Sequence, residues 1–297
     1  MNFIYKLPEN ERRLIFAKVL GIDYSQTYKL DFLSKNGLSP GILNKENQIE
    51  KIAKKRLNGK PLQYILQEVN FLDLVLKIKP GVFIPRPETE YMTDCFLKDI
   101  KIANDKNLQI LDICSGSGAI SLAVAKYCSQ LASKQNGEFF DYKIVGLESS
   151  KKAVRLANKN KRFLNLDDVK FIKYAFPKNL KQILNKKMAQ VIYQADYIIS
   201  NPPYIPENSA ISGLVSEEVL AYEPYEALFA GPDGTNLAKN IIYQANLGKC
   251  KILYIECHET NAYILAEFAK KMLPKKFNFV QVIKDLAGKN RFIVCKK

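Results

Sequence analysis

The chain holds one histidine, His258, among 297 residues, so a triad built on imidazole could form only there. Its six cysteines, Cys95, Cys114, Cys128, Cys250, Cys257 and Cys295, include no C-x-x-C pair. Several sit inside apolar runs, as small buried hydrophobes do. A zinc site would have to gather thiolates from scattered positions, and no metal is expected. Arginine is also scarce, supplying seven of the 45 basic residues. Because arginine is preferred for bidentate phosphate contacts, the formal charge of +15 has two readings. One is a nucleic-acid or ribonucleoprotein partner; the other is a lysine-rich composition without such meaning. The lysines are spread out in short pairs such as Lys54-Lys55 and Lys151-Lys152, which favours the second and leaves direct nucleic-acid binding open. No run of about 18 apolar residues occurs, which argues against a membrane span. The start, Met1 to Glu11, has the pattern of neither a signal peptide nor an arginine-rich transit peptide. A soluble cytoplasmic protein, and no membrane partner, is the expectation.

What is present is length and apolar content. At 47% apolar residues the chain suits one large domain plus a small one. Residues 1–68 read as short helices. Glu9 to Leu20 carries Leu14, Ile15, Val19 and Leu20 near helical spacing, and Asn44 is a candidate N-cap for a helix through Arg56. Gly21, Gly37, Ser39-Pro40-Gly41 and Gly59-Lys60-Pro61 punctuate this part. It contains no catalytic constellation, so holding a macromolecular substrate is its expected role, with a purely stabilising cap as the alternative. Residues 69–85 read as a β-hairpin linker, with apolar residues gathered about Lys79-Pro80-Gly81. Pro85-Arg86-Pro87-Glu88-Thr89-Glu90 reads as a stiff elbow into a helix from about Tyr91. Its charges suit either the electrostatics of the helix start or a cofactor rim, and favour the former. Residues 86–297 read as the large domain, and from 108 onward strands and helices alternate, with strands near 109–113, 143–147, 169–173, 196–200 and 251–257. Such alternation gives a parallel sheet covered on both faces. The last two apolar stretches, 277–283 and 290–295, flank a short connection that suits an antiparallel hairpin.

Two segments carry chemistry. Leu108 to Ile113 is an apolar strand that ends in an acidic residue, Asp112, and its neighbour. It runs into Cys114-Ser115-Gly116-Ser117-Gly118, after which Ala119 to Ala125 continues at helical spacing. A strand, a small-residue turn and a helix start let the backbone approach a nucleotide-type cofactor and offer it unpaired N–H donors. Glu148 ends the next strand, where a carboxylate can accept both hydroxyls of a ribose. The turn is poor in glycine for a dinucleotide site, since Cys114 occupies the first glycine position. The second segment, Asn201-Pro202-Pro203-Tyr204, follows the apolar run Tyr197 to Ser200. Two prolines make a rigid corner without N–H donors. Their carbonyls, the Asn201 side chain and the flat face of Tyr204 suit a planar group that carries an NH2. An ordinary proline-rich loop is the alternative for these four residues alone. Together the two segments favour S-adenosylmethionine over a dinucleotide.

With these motifs in order, the chain resembles nearly end to end the HemK/PrmC family of protein-glutamine methyltransferases. The residues that carry the resemblance are Gly59-Lys60-Pro61-Leu62-Gln63-Tyr64-Ile65, Ile84-Pro85-Arg86-Pro87-Glu88-Thr89-Glu90, and Asp112 to Gly118. They continue with Ser200-Asn201-Pro202-Pro203-Tyr204-Ile205-Pro206, Tyr222-Glu223-Pro224, Gly231, Gly234, Lys284-Asp285-Leu286 and Arg291. Asn-Pro-Pro-Tyr alone is shared with adenine and cytosine amino-methyltransferases; Ile-Pro-Arg-Pro-Glu-Thr-Glu is what narrows the assignment. The resemblance implies an α/β fold: a Rossmann-like seven-stranded S-adenosylmethionine-dependent methyltransferase domain preceded by a small helical bundle and a hairpin linker. It implies methyl transfer to the glutamine of the Gly-Gly-Gln motif in class-1 peptide chain release factors, with a monomer as the simplest state. The implied catalytic residues are Asn201, Pro202 and Tyr204, with Pro203 also at the substrate. The implied cofactor residues are Asp112, Cys114, Ser115, Gly116, Ser117, Gly118, Glu148, Ala175 and Asn201. The chain departs from the family pattern at four places. Cys114 replaces a glycine, Glu148 replaces an aspartate, and Tyr174-Ala175-Phe176 replaces an Asp-aromatic pair near the adenine. Glu256-Cys257-His258, with Asn261, stands where the family tends to have Glu-Ile-Gly and a glutamine. The rival readings are a nucleic-acid amino-methyltransferase, which would flip out a base, and a non-catalytic adaptor that binds cofactor or nucleic acid without turnover.

Overall fold

A computed structural model of the chain describes residues 3–28, 44–102, 107–134, 141–177, 185–207, 215–272 and 277–297. Gly37 and Ser39-Pro40-Gly41 lie outside the described residues. In chain order the principal elements are α1 (Glu9–Leu20), α2 (Glu46–Leu57), α3 (Leu62–Leu66), β1 (Glu68–Phe71), β2 (Leu74–Lys77), α4 (Pro87–Ile102), β3 (Asn107–Ile113), α5 (Ala119–Lys134), β4 (Asp141–Glu148) and α6 (Lys151–Phe163). There follow β5 (Val169–Lys173), α7 (Lys186–Tyr193), β6 (Tyr197–Ser200), α8 (Glu217–Tyr222), α9 (Asn236–Leu247), β7 (Ile252–Glu256), α10 (Ala262–Met272), β8 (Phe279–Lys284) and β9 (Asn290–Lys296). They form two compact units: Met1–Glu68 with Glu217–Tyr222, and Val69–Ser216 with Glu223–Lys297.

The first unit is helical. Arg12, Ile15, Phe16 and Val19 lie on the buried face of α1, the i, i+3, i+4, i+7 stripe of a core-facing helix. Ile49 and Ala53 of α2 and Leu62 and Leu66 of α3 complete the cluster. Gly21 ends α1 at φ 70°, the left-handed conformation that lets a chain leave a helix. Asn44 does not cap α2. Lys45 holds the cap position without a side-chain bond to the helix, and its ammonium instead meets the Val19 carbonyl of α1 at 2.6 Å. A cation on a last-turn carbonyl complements the negative end of α1. Arg56 joins three elements, donating to Glu11 at 3.0 Å and to Glu218 at 2.8 Å.

The second unit contains a seven-stranded sheet in the order β5-β4-β3-β6-β7-β9-β8. The first five of these strands run parallel, and β9 pairs antiparallel with both β7 and β8. Alternate residues of β3 feed different cores: Leu108 and Ile110 pack on one face, Leu111 and Ile113 on the other. That two-residue alternation, under helices on both sides, explains why the strands read as continuous apolar runs. Two local expectations shift. The hairpin turns at Leu72-Asp73, with Leu72 at φ 50°, and not at Lys79-Pro80-Gly81. The latter forms a separate turn, closed by the Val82 N–H donating to the Lys79 carbonyl at 3.2 Å. Apolar residues flank both turns, so composition does not separate them. The helix after the elbow begins at Pro87 and not near Tyr91; proline suits a first helical position because its missing N–H would have no partner there.

Sheet order sets where a ligand can bind. β3 lies between β4 and β6, and the chain leaves it in opposite directions on either side. Such a switch point opens a crevice at the carboxyl ends of the strands. The turn after β3, the end of β4 and the corner after β6 all reach it.

Candidate active site

A cavity of about 300 Å³ opens at this switch point. Cys114, Ser115, Gly116 and Ser117 from the turn after β3, Glu148 from the end of β4, and Asn201 to Ile205 after β6 are on its wall. Adjacent strands make this inevitable, because Ile113 pairs with Ser200 and with Leu147. The Ser200 hydroxyl donates to the Ile113 carbonyl at 2.6 Å and fastens the two exits together. Thr89 of α4, Val82, Phe83 and Pro85 before it, and Glu226 to Leu228 also line the cavity.

The turn after β3 is shaped for close approach. Cys114 has φ 65° and Gly116 φ 54°, so two nearly successive residues are left-handed. A Cβ added at Gly116 would meet nothing within 4 Å; its freedom serves the backbone conformation and leaves the surface open. Glu148 accepts from the Gly116 N–H at 2.9 Å and from the Ser150 N–H at 2.7 Å, which places its carboxylate at the rim of that turn. The buried Ser115 hydroxyl has no hydrogen-bond partner although its residue lines the cavity. Open backbone beside a carboxylate fits a polar, ribose-bearing ligand.

The corner after β6 is tied to a buried carboxylate. The Asn201 Nδ2 donates to the Thr89 Oγ1 at 2.8 Å. That hydroxyl donates to Glu256 Oε2 at 2.7 Å, and the Tyr204 hydroxyl donates to Glu256 Oε1 at 3.1 Å. Glu256 ends β7, next to β6, and is 1% exposed. Burial pushes its carboxyl up to about 7, against the opposing pull of the Thr89 and Tyr204 bonds and of nearby Arg291. Burial and the neighbouring Glu256 likewise push the Tyr204 phenol up, so it stays protonated and able to donate. The Tyr204 backbone is confined as well. Gly234, at φ 71°, packs so tightly that an added Cβ would lie 2.2 Å from the Tyr204 carbonyl oxygen.

Three expected cofactor residues stand off the cavity wall. Asp112 is fully buried and turned to α5, where its Oδ2 accepts from the Ser121 N–H at 3.1 Å and from its hydroxyl at 2.6 Å. It caps a helix start from the neighbouring strand, and burial raises its carboxyl to about 7. Gly118, at φ 85°, packs under Phe171; an added Cβ would lie 2.7 Å from that ring. Ala175 is exposed and contributes nothing to the lining. Sequence reasoning passed over Thr89 and Glu256. Both carried a signal: Thr89 lies within the Ile-Pro-Arg-Pro-Glu-Thr-Glu motif, and Glu256 ends a parallel strand as Glu148 does. The Arg86 carbonyl accepts the Glu90 N–H at 3.1 Å at the start of α4, but its guanidinium serves neither that helix start nor the cofactor rim. It pairs with the buried Glu223, whose other oxygen accepts the Ile84 N–H at 3.1 Å, so the elbow is bolted to the segment after α8. Among the described residues no group of three or more His, Cys, Asp and Glu could hold a metal, and no helix is long and apolar enough to cross a membrane.

A switch-point cavity with a small-residue turn, an acidic residue on the second strand and an antiparallel final strand pair defines an S-adenosylmethionine-dependent methyltransferase. Comparison agrees: a protein-family model described as "Methyltransferase domain" matches residues 104–273. The hMettl16 catalytic domain, solved in complex with MAT2A 3'UTR hairpin 6, shares the fold at a TM-score of 0.51 and 16% identity, covering 74% of this chain and 73% of that one. A protein of Thermodesulfovibrio yellowstonii named release factor glutamine methyltransferase is 32% identical over 97% of this chain and 92% of its own length. One of the same name from Fusobacterium nucleatum is 32% identical over 98% of this chain and 73% of its own. The chain belongs to the release factor glutamine methyltransferase family.

Proposed function

We propose that the enzyme methylates the side-chain amide nitrogen of the glutamine in the Gly-Gly-Gln motif of class-1 peptide chain release factors. The observation that carries this reading is the state of Asn201. Its Nδ2 is committed to Thr89, so Oδ1 is the polar atom it keeps for a ligand in the cavity. An acceptor there, with the neighbouring Pro202 carbonyl, suits the two N–H bonds of a primary amide. The relatives' name, release factor glutamine methyltransferase, supports a release-factor glutamine as the substrate.

An amide nitrogen is a poor nucleophile because its lone pair is delocalised into the carbonyl. The bound cofactor supplies a methyl group already activated on a sulfonium. Residues 114–117 and Glu148 would hold it, with Glu148 at the ribose hydroxyls. Asn201 Oδ1 and the Pro202 carbonyl orient the substrate nitrogen, and Pro203 and the Tyr204 ring wall in its amide plane. Orientation then supplies much of the rate, helped by two acceptors aimed where positive charge develops on nitrogen. The spare proton leaves to solvent. Residues 1–68, which lack chemistry of their own, would hold the protein substrate, with residues 69–85 as the linker and residues 86–297 as the catalytic domain.

Single-turnover transfer to a class-1 release factor tests the assignment. Asn201→Ala is expected to slow transfer about 100-fold or more, the scale seen when a preorganised transition-state partner is removed, with cofactor affinity nearly unchanged. Near wild-type turnover in Asn201→Ala would remove the basis for the reading.

A further inference from the structure

The hydrogen-bond chain behind Asn201 has a direction, and the direction has a consequence. A side-chain amide is nearly symmetric in shape, so packing alone does not decide whether oxygen or nitrogen faces the cavity. Only one of the two orientations can accept from a substrate NH2. The Thr89 hydroxyl has a single hydrogen. It is 4% exposed, and its Oγ1 lies between Glu256 Oε2 at 2.7 Å and Asn201 Nδ2 at 2.8 Å. Ionised above about pH 7, the Glu256 carboxylate can only accept, so it draws that hydrogen to itself. Thr89 Oγ1 is left as an acceptor toward Asn201, and the amide must turn its NH2 to Thr89 and its oxygen to the cavity.

We infer that Glu256, acting through the Thr89 hydroxyl, is a positioning residue that fixes the orientation of the Asn201 side-chain amide and thereby aims the acceptor used in methyl transfer. The placement follows from the fold. β6 and β7 are adjacent and parallel with Ser200 opposite Ile255, so the residues that follow, Asn201 and Glu256, leave the sheet side by side. Thr89, in the first turn of α4, closes the gap between them. The other oxygen of Glu256 holds the Tyr204 hydroxyl, so one carboxylate braces both ends of the Asn-Pro-Pro-Tyr corner. The inference rests on Asn201 being the substrate acceptor, as proposed above.

The test compares wild type, Asn201→Ala, Thr89→Val, Thr89→Ser and Glu256→Gln, and the double variant Thr89→Val with Glu256→Gln. It measures, at pH 8 where Glu256 is ionised, kcat and KM with a class-1 release factor, S-adenosylhomocysteine affinity by calorimetry, and the melting temperature. Valine keeps the shape of threonine without the hydroxyl, and losing one directing bond is expected to lower kcat about fivefold or more. KM and S-adenosylhomocysteine affinity should hold within about threefold, and Thr89→Ser, which keeps the hydroxyl, should restore turnover. Glu256→Gln can present an NH2 to Thr89 and reverse the chain, so it lowers kcat in the wild-type background and much less in the Thr89→Val background. The inference is overturned by a smaller kcat loss in Thr89→Val, by failure of serine to restore it, by an equal loss of S-adenosylhomocysteine affinity, or by equal costs of Glu256→Gln in both backgrounds. If Asn201→Ala itself keeps its turnover, the acceptor role of Asn201 fails instead, and the two failures stay distinct.

Discussion

Replacing Glu256 with glutamine should flatten part of the pH dependence of folding. In the folded protein burial raises the Glu256 carboxyl from an ordinary 4.5 to about 7, so between those values the native state binds a proton that the unfolded chain has released. Stability from this group is therefore complete below about pH 4.5 and is lost as pH rises through 7. That difference corresponds to about 3 kcal/mol in all, most of which falls between pH 5 and pH 8. Asp112, raised from 3.8 to about 7 by the same cause, acts in the same direction and remains in the variant. Urea denaturation without cofactor at several pH values measures both proteins. The variant should gain about 2 to 3 kcal/mol relative to wild type across that interval. Stability curves that run parallel for the two proteins from pH 5 to pH 8 would refute the assignment of a raised, buried carboxyl to Glu256.

Other perturbations separate the roles of neighbouring residues. Glu148→Gln removes the charge beside Gly116 and Ser150. Calorimetry should show S-adenosylhomocysteine binding weakened about 10- to 100-fold, the range for a lost charged hydrogen bond; unchanged affinity would move the ribose elsewhere. Gly118→Ala combines a left-handed φ with a Cβ 2.7 Å from the Phe171 ring; we expect a loss of about 2 kcal/mol or more in chemical denaturation, against which a neutral variant would count. Gly234→Ala would force the Tyr204 carbonyl aside. Its release-factor methylation rate should fall at least about tenfold while S-adenosylhomocysteine affinity, measured on the same preparation, changes little; the reverse pattern would contradict the placement of Tyr204.

The parallel strands were legible because each is a short apolar run ending beside a polar residue at the sheet's carboxyl edge, and the terminal hairpin because its connection is too short for a crossover. Asn201 and Glu148 were legible for the same reason: each directly follows or ends such a run. Asp112 was not, because a motif is one-dimensional and a strand is pleated. Ile113 and Asp112 point to opposite faces, so a residue in the middle of the cofactor segment belongs to a helix cap. Gly118 likewise serves Phe171, a partner from β5 that no local pattern reveals. The relay from Glu256 through Thr89 joins positions 167 residues apart. It depends on which strands are neighbours and where α4 begins, and both emerge only when the sheet is assembled. Cys114 shows a milder limit. The position adopts φ 65°, as a glycine would, so the family's usual residue reported the backbone conformation correctly even though this chain carries another.

Peptide mass spectrometry identifies the methylated atom directly. Purified enzyme, S-adenosylmethionine and a class-1 release factor are incubated, and the added mass is mapped by fragmentation, with Asn201→Ala in parallel. One methyl group on the side chain of the Gly-Gly-Gln glutamine, absent with Asn201→Ala, is the predicted result. An unmethylated glutamine, with transfer to RNA or DNA by the same preparation, would contradict it.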